Sequence, residues 1–160
     1  MVYHFYFQQT DKDGAVIADT TRDLEGDFAG LSYLSIKGLE IVGKPKNIYE
    51  ESYAEHDGTR VYHPSDNEDP VTRETTKIAL DLVIQGANRR SVYNSLCDYL
   101  RGNRLYYWDT ARHKKVWLIL NEEVNPEDDT LKGVKYIRAT FNFTNIWGYS
   151  KTCNDNGVVV

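Results

Sequence analysis

The chain has 160 residues, 41% hydrophobic and 27% charged, with a formal net charge of −5. That length is one domain, long enough to bury a core without disulfide staples, and the balanced composition excludes a disordered or collagen-like polypeptide. No run approaches the ~18 uninterrupted apolar residues of a membrane span. The basic excess that carries affinity for phosphate backbones is missing.

From the N-terminus, MVYHFYFQQ alternates, with Tyr3, Phe5 and Phe7 on one face and His4, Tyr6 and Gln8 on the other. This is strand periodicity. It also lacks a basic start, a long apolar run and a small-residue cleavage site, so it is not a signal peptide and synthesis in the cytoplasm is expected. Asp11-Lys12-Asp13-Gly14 is a turn signal. Residues 15–29 are polar and read as a loop with a short strand at Ala15–Ala18. Residues 31–42, LSYLSIKGLEIV, read as a strand or a strand pair bent at Gly38.

Residues 43–75 hold three of the four prolines, Pro45, Pro64 and Pro70, and the polar run Ser65-Asp66-Asn67-Glu68-Asp69. A structureless loop beyond ~12–15 residues is uncommon in a compact domain. The segment also carries Ile48, Tyr49, Tyr53, Val61 and Tyr62. It is predicted to be a long protruding β-hairpin, with arms around 46–55 and 59–63 and a turn at Asp57-Gly58.

TKIALDLVIQ, residues 76–85, alternates strongly, with Ile78, Leu80, Leu82 and Ile84 on one face. RRSVYNSLCDYLR, residues 89–101, switches to helical spacing: Val92, Leu96 and Leu100 form a stripe that Tyr93 and Cys97 broaden. Asn88 is the expected N-cap and Gly102 the expected C′ residue. RLYYWD (104–109) and KVWLIL (115–120) are two strands of a hairpin. Its tip, Thr110 to Lys114, extends a local basic patch at Arg112, His113, Lys114 and Lys115, read as solvated. Residues 121–133 are acidic and polar. Residues 134–147 form the longest strand, with Ile137, Ala139, Phe141 and Phe143 on one side. The tail, 151–160, is expected to be flexible or to dock elsewhere, leaving residues 1–150 as the domain.

Chemistry is sparse. Cys97 and Cys153 make neither a disulfide framework nor a zinc pattern, and Cys97 reads as a small buried apolar residue. His4 sits opposite the apolar face of its strand. His56 and His63 flank the hairpin tip without the matched third and fourth ligands that zinc requires. No phosphate loop, dinucleotide fingerprint or nucleophile elbow occurs. The carboxylate pairs Glu50-Glu51, Glu122-Glu123 and Asp128-Asp129 lie in polar stretches and read as solvated. No catalytic, metal or cofactor-binding residue is therefore assigned. Tyr106, Tyr107, Trp108 and Trp117 are the components of a stacking platform. On adjacent hairpin arms they read instead as cross-strand packing.

The order of elements gives a mainly β (α+β) fold: an antiparallel β-sandwich or barrel with one amphipathic helix at about 89–101 and a long hairpin loop at about 43–75. It resembles the tail-tube fold shared by phage tail tube proteins, distal tail (baseplate hub) proteins and the tubes of related injection systems. The resemblance is carried by TKIALDLVIQGANRRSVYNSLCDYLRGNRLYYWDTARHKKVWLIL, residues 76–120: an amphipathic strand, a Gly- and Arg-containing turn, a short helix ending in Leu and Gly, and a hairpin with an aromatic-Trp/Asp turn. The loop with Asp57-Gly58 and the lead-in Arg73-Glu74-Thr75 are also similar.

The resemblance implies a structural, non-enzymatic virion tail protein that forms a homo-oligomeric ring, a hexamer, around a channel. Its partners would be itself and other tail proteins, with DNA only as passing cargo and no membrane. Tyr49, Tyr53, Val61 and Tyr62 would then be covered by another copy, as aromatics are at interfaces. An acidic chain suits a channel that passes DNA without holding it. Many distal tail proteins carry a further C-terminal domain, whereas this chain ends soon after Trp147, which points to a tube-like, minimal hub or terminator-like role. The residue pattern by itself also accommodates a small-ligand β-barrel and a carbohydrate-active or other hydrolytic enzyme. The barrel reading needs a hollow interior, and the bulky set Phe5, Phe7, Ile78, Leu80, Leu82, Phe141 and Phe143 is able to fill one.

Overall fold

Alternating apolar residues make the long strands, and one helical stripe makes the long helix. The computed structural model describes residues 2–45, 49–52, 59–62 and 73–160, the two short inner stretches by their backbone. In chain order the elements are β1 (Phe5–Thr10), β2 (Arg22–Asp23), the single-turn α1 (Leu24–Asp27), β3 (Leu31–Lys37), β4 (Tyr49–Ser52) and β5 (Thr59–Tyr62). There follow β6 (Thr76–Gln85), α2 (Arg89–Arg101), β7 (Arg104–Asp109), β8 (Lys114–Leu120), β9 (Glu127–Leu131), β10 (Val134–Asn145) and β11 (Lys151–Thr152).

Nine strands form one antiparallel sheet that runs β2-β1-β7-β8-β10-β6-β3, with β9 added to β10 and β11 added to β8. β6 and β10 are its spine, paired from Tyr136 opposite Gln85 to Asn145 opposite Thr76. The sheet curls without closing, so that its two ends face each other across a shared interior. Phe7 of β1 lies 5.8 Å from Phe143 of β10, centroid to centroid. Phe7, Ile78, Leu80, Leu82, Ile84, Phe141 and Phe143 are all sealed from solvent. Each such side chain contributes about 1.5–3 kcal/mol by leaving water. Helix α2 lays Leu96 and Leu100 onto the same cluster, and Tyr93 on its flank meets Phe141 at 6.4 Å. The mainly β, sandwich-like architecture with one long amphipathic helix is thus present, and side chains fill its interior.

Several local expectations change. The stretch 15–18 forms only an isolated bridge, Thr10 with Val16, because Asp11 Oδ1 accepts the Asp13 and Ala15 amides and curls the chain into a turn. Residues 127–131, EDDTL, are a fully exposed strand, β9, which no apolar alternation announces. Its turn onto β10 is Lys132-Gly133, both at positive φ (50° and 79°), the geometry of a two-residue hairpin turn. Asn88 occupies the N-cap of α2 but makes no side-chain cap bond, and Gly102 is right-handed (φ −74°) rather than left-handed. Cys97 is half-buried rather than buried, and both cysteines are free. Burial raises the Cys97 thiol above its ordinary range.

Residues 151–160 return to the sheet. Lys151 stands opposite Lys115 and Thr152 opposite Lys114, and Cys153 bridges Val159. Gly157 lies flat on the Trp108 ring, where a Cβ would fall 2.6 Å from Trp108 Cε2.

Candidate assembly surface

The 43–75 segment leaves the body through a backbone junction that side chains would obstruct. Pro45 bridges Arg73, the Glu74 amide donates to Lys44 O at 2.9 Å, and the Gly43 amide donates to Gly148 O at 2.6 Å. Arg73 Nη1 donates to Gly43 O at 3.0 Å. Gly148 has a φ of +72°, and a Cβ there would sit 2.1 Å from Glu74 O. Gly43 meets the same carbonyl at 2.0 Å. Two glycines therefore let three backbone segments converge where the segment departs.

Beyond this junction β4 pairs with β5 as a separate two-stranded sheet, joined among the described residues to no strand of the main one. Tyr49 stands opposite Tyr62 and Glu50 opposite Val61. A hairpin is thus present, with a corrected register. Ser52 opposes Thr59, and the turn expected at Asp57-Gly58 lies outside the described residues. Thr59 and Tyr62 thus face Ser52 and Tyr49, where arms paired around Asp57-Gly58 would have set His56 and Tyr53 opposite them. Of the four expected interface residues, Tyr49, Val61 and Tyr62 fall on the paired strands, while Tyr53 lies outside the described residues, as do His56 and His63.

A second surface was not legible in the sequence. On the outer face of the sheet Leu34, Val83, Leu131, Val134 and Tyr136 line a shallow depression of about 440 Å³. Leu34 is brought there by a bulge between Tyr33 and Ser35 in the β3–β6 pairing, which breaks the alternation and leaves Leu34 46% exposed. Leu131, at 64%, arrives on the unpredicted β9. The usable signal was Lys132-Gly133 between EDDTL and VKYI, a hairpin turn in an otherwise polar stretch. Among the described residues β3 pairs with β6 alone, so its other edge meets no strand.

The aromatic set behaves as packing. Tyr107 is in the core, and Tyr106 faces Trp117 with centroids 6.4 Å apart. Their polar ends are spoken for: Tyr106 Oη donates to Gly14 O, Trp108 Nε1 to Asp155 O, and Trp117 Nε1 to Thr10 Oγ1. Lys115 Nζ lies 4.2 Å from the Tyr106 centroid, close enough for a cation–π contact. Burial pushes the Lys115 amine below its ordinary range.

Among the described residues, no three His, Cys, Asp or Glu side chains gather as metal ligands. His4 Nδ1 pairs with Asp23 Oδ2 at 2.9 Å, and His113 Nε2 with Asp155 Oδ1 at 2.6 Å. Asp128 is held by two guanidiniums, Arg89 at 3.0 Å and Arg90 at 2.8 Å. Glu122 pairs with Lys77 at 2.7 Å. Among the described residues no helix is long and apolar enough to cross a membrane.

No protein-family description and no curated protein matches the chain. A solved structure does. The Dit protein of phage SPP1, described as a paradigm of hub adsorption apparatus in phages infecting Gram-positive bacteria, superposes with a TM-score of 0.55 and 13% sequence identity. The match covers 95% of this chain and 53% of that one, so the chain spans about half the length of its structural neighbour. The fold is that of a phage distal tail hub protein, as the resemblance of residues 76–120 implies.

Proposed function

We propose that the protein is a structural, non-enzymatic subunit of a phage tail or tail-like particle: a tube, distal tail or hub ring. The observation that carries this is the fold shared with a hub protein over 95% of the chain. In this reading copies join into a ring, a hexamer, through the edge of β3 away from β6 and through the 43–75 segment, together with other tail proteins of the virion. Tyr49, Tyr53, Val61 and Tyr62 are the residues a neighbouring copy covers. DNA passes through the channel without being held. The filled interior supports this reading over a ligand-holding barrel, since Phe7, Leu80, Leu82, Phe141 and Phe143 occupy the space a ligand would need.

The test is mass by light scattering across a concentration series, followed by negative-stain microscopy. Rings or tubes are expected. Replacing residues 46–72 by a short Gly-Ser bridge between Pro45 and Arg73, which already pair, should abolish oligomers and leave the circular dichroism spectrum of the body unchanged. A protein that stays monomeric at every concentration would sink the proposal.

A further inference from the structure

The net charge of the chain is not spread over it. Residues 46–72 hold seven carboxylates, from Glu50 to Asp69, against Lys46 and Arg60, a net of −5. The remaining residues hold 17 Lys and Arg against 17 Asp and Glu. The whole excess therefore sits on the segment that leaves the body, and the body is neutral.

Among the described residues, five of the body's 17 cations meet a carboxylate: Lys77, Arg89, Arg90, Arg101 and Arg138. Of the others, one group stands together. Arg73, Lys114 and Tyr149 line a cleft of about 450 Å³ beside the junction, together with Glu40, Val42 and Ser150. Lys114 lies on β8 opposite Thr152 of β11, and its Nζ reaches only Thr152 Oγ1 at 3.4 Å. Lys151, the other residue of β11, reaches the same aromatic wall, with Nζ 4.1 Å from the Trp147 centroid and 5.9 Å from that of Tyr149. Among the described residues Arg73, Lys114 and Lys151 have no carboxylate partner. The acids nearby are few: Glu40 lines the cleft, Glu74 follows Arg73 at the junction, Asp155 is paired with His113, and Asp109 is buried.

We infer that the cationic, tyrosine-walled cleft lined by Arg73, Lys114 and Tyr149 and flanked by Lys151 is the receiving site for the acidic 46–72 segment of a second copy of this chain. Charge complementarity selects the occupant. A −5 segment gains most where unpaired cations stand together, and the cleft is lined by Arg73 and Lys114 with Lys151 against its Tyr149 wall. Among the described residues β4 and β5 pair only with each other, which favours a neighbour over the segment's own body. Lys151, held on the Trp147 and Tyr149 rings, presents an anion with both charge and an apolar floor, suited to a segment whose sequence carries Tyr49 beside Glu50 and Glu51. The inference rests on the assembly reading above and adds that the contact is electrostatic and where it lands.

The test uses full-length chains in sedimentation velocity at about 0.05 M and about 0.5 M NaCl, where screening lengths differ severalfold. Wild type should associate at low salt and lose affinity about tenfold or more at high salt. A donor variant, E50K/E51K/E55K, and a receiver variant, K114E/K151E, should each be monomeric with unchanged circular dichroism. Mixed together they should form a heterodimer, because one wild-type cleft then meets one wild-type segment. A mixture that stays monomeric means the segment folds back on its own copy and overturns the inference. Association that survives both variants and high salt but disappears when 46–72 is replaced overturns it while leaving the assembly reading intact. Wild type monomeric at every concentration and salt overturns both.

Discussion

The rings of Phe5 and Tyr33 stack with centroids 3.8 Å apart and planes 13° from parallel. Their strands, β1 and β3, lie near opposite ends of the path β2-β1-β7-β8-β10-β6-β3. Among the described residues no backbone ladder joins those ends, and this stack ties them across the open seam beside α1, whose Glu25 Oε1 accepts the Tyr33 amide at 2.9 Å. Replacing Phe5, 8% exposed, with alanine should cost about 3–5 kcal/mol in urea unfolding. The double-mutant cycle with Tyr33→Ala should show a coupling near 1 kcal/mol beyond area burial. Independent, additive effects would mean that the seam is held elsewhere.

How much of this was readable in the sequence depends on burial. β6 and the second half of β10 were legible because Ile78, Leu80, Leu82 and Ile84 alternate, as do Ile137, Ala139, Phe141 and Phe143, and burial enforces the register. Helix α2 was legible for the same reason at a different period. β9 was not, because EDDTL is exposed at every position and its strand is imposed by pairing with β10. The convergence of Gly43, Gly148 and Glu74 was not readable either, since residues that far apart in sequence meet only through the topology. The cleft beside that junction inherits the difficulty: Arg73, Lys114 and Tyr149 come from three distant segments. Their charges were visible one by one, but their proximity was not.

The junction makes its own prediction. Gly148→Ala would force a Cβ at positive φ to within 2.1 Å of Glu74 O. The substitution should cost about 2 kcal/mol or more. It should also speed hydrogen exchange at the Glu74 amide, which donates to Lys44 O, more than at amides of the β6–β10 spine. Exchange at Glu74 that matches wild type would show the junction to be looser than this geometry implies.

Tyr107 and Asp109 form a buried polar pair. Tyr107 Oη donates to Asp109 Oδ2 at 3.0 Å, and the Arg112 amide donates to Asp109 Oδ1 at 2.6 Å. Burial, with the Asp109 charge behind it, pushes the Tyr107 phenol well above its ordinary range, so it stays a donor at any working pH. Tyr107→Phe should cost about 1–2 kcal/mol in chemical denaturation. Asp109→Ala should cost more, because it strands two donors, the phenol and the turn amide. The reverse order would show that the phenol has another acceptor in reach.

The last prediction concerns acid. Asp128 on β9 accepts from Arg89 Nε at 3.0 Å and Arg90 Nε at 2.8 Å, tying the β9–β10 hairpin to the start of α2. The two guanidiniums, Arg89 first, hold the Asp128 carboxyl below its ordinary value of 3.8. A depressed carboxylate pKa means the folded state binds this proton less readily than the unfolded state. Its stabilising contribution is therefore complete above about pH 3.8 and falls away as the pH drops through the folded value. Because the pair is exposed, the effect is local rather than global. Backbone amide shifts of Glu127–Leu131, followed by NMR from pH 6 downward, should stay constant to about pH 4 and move together below it. In Asp128→Asn these amides should already sit near the low-pH positions at pH 6. Shifts of wild type and variant that coincide across the whole range would mean the clamp does not hold the hairpin.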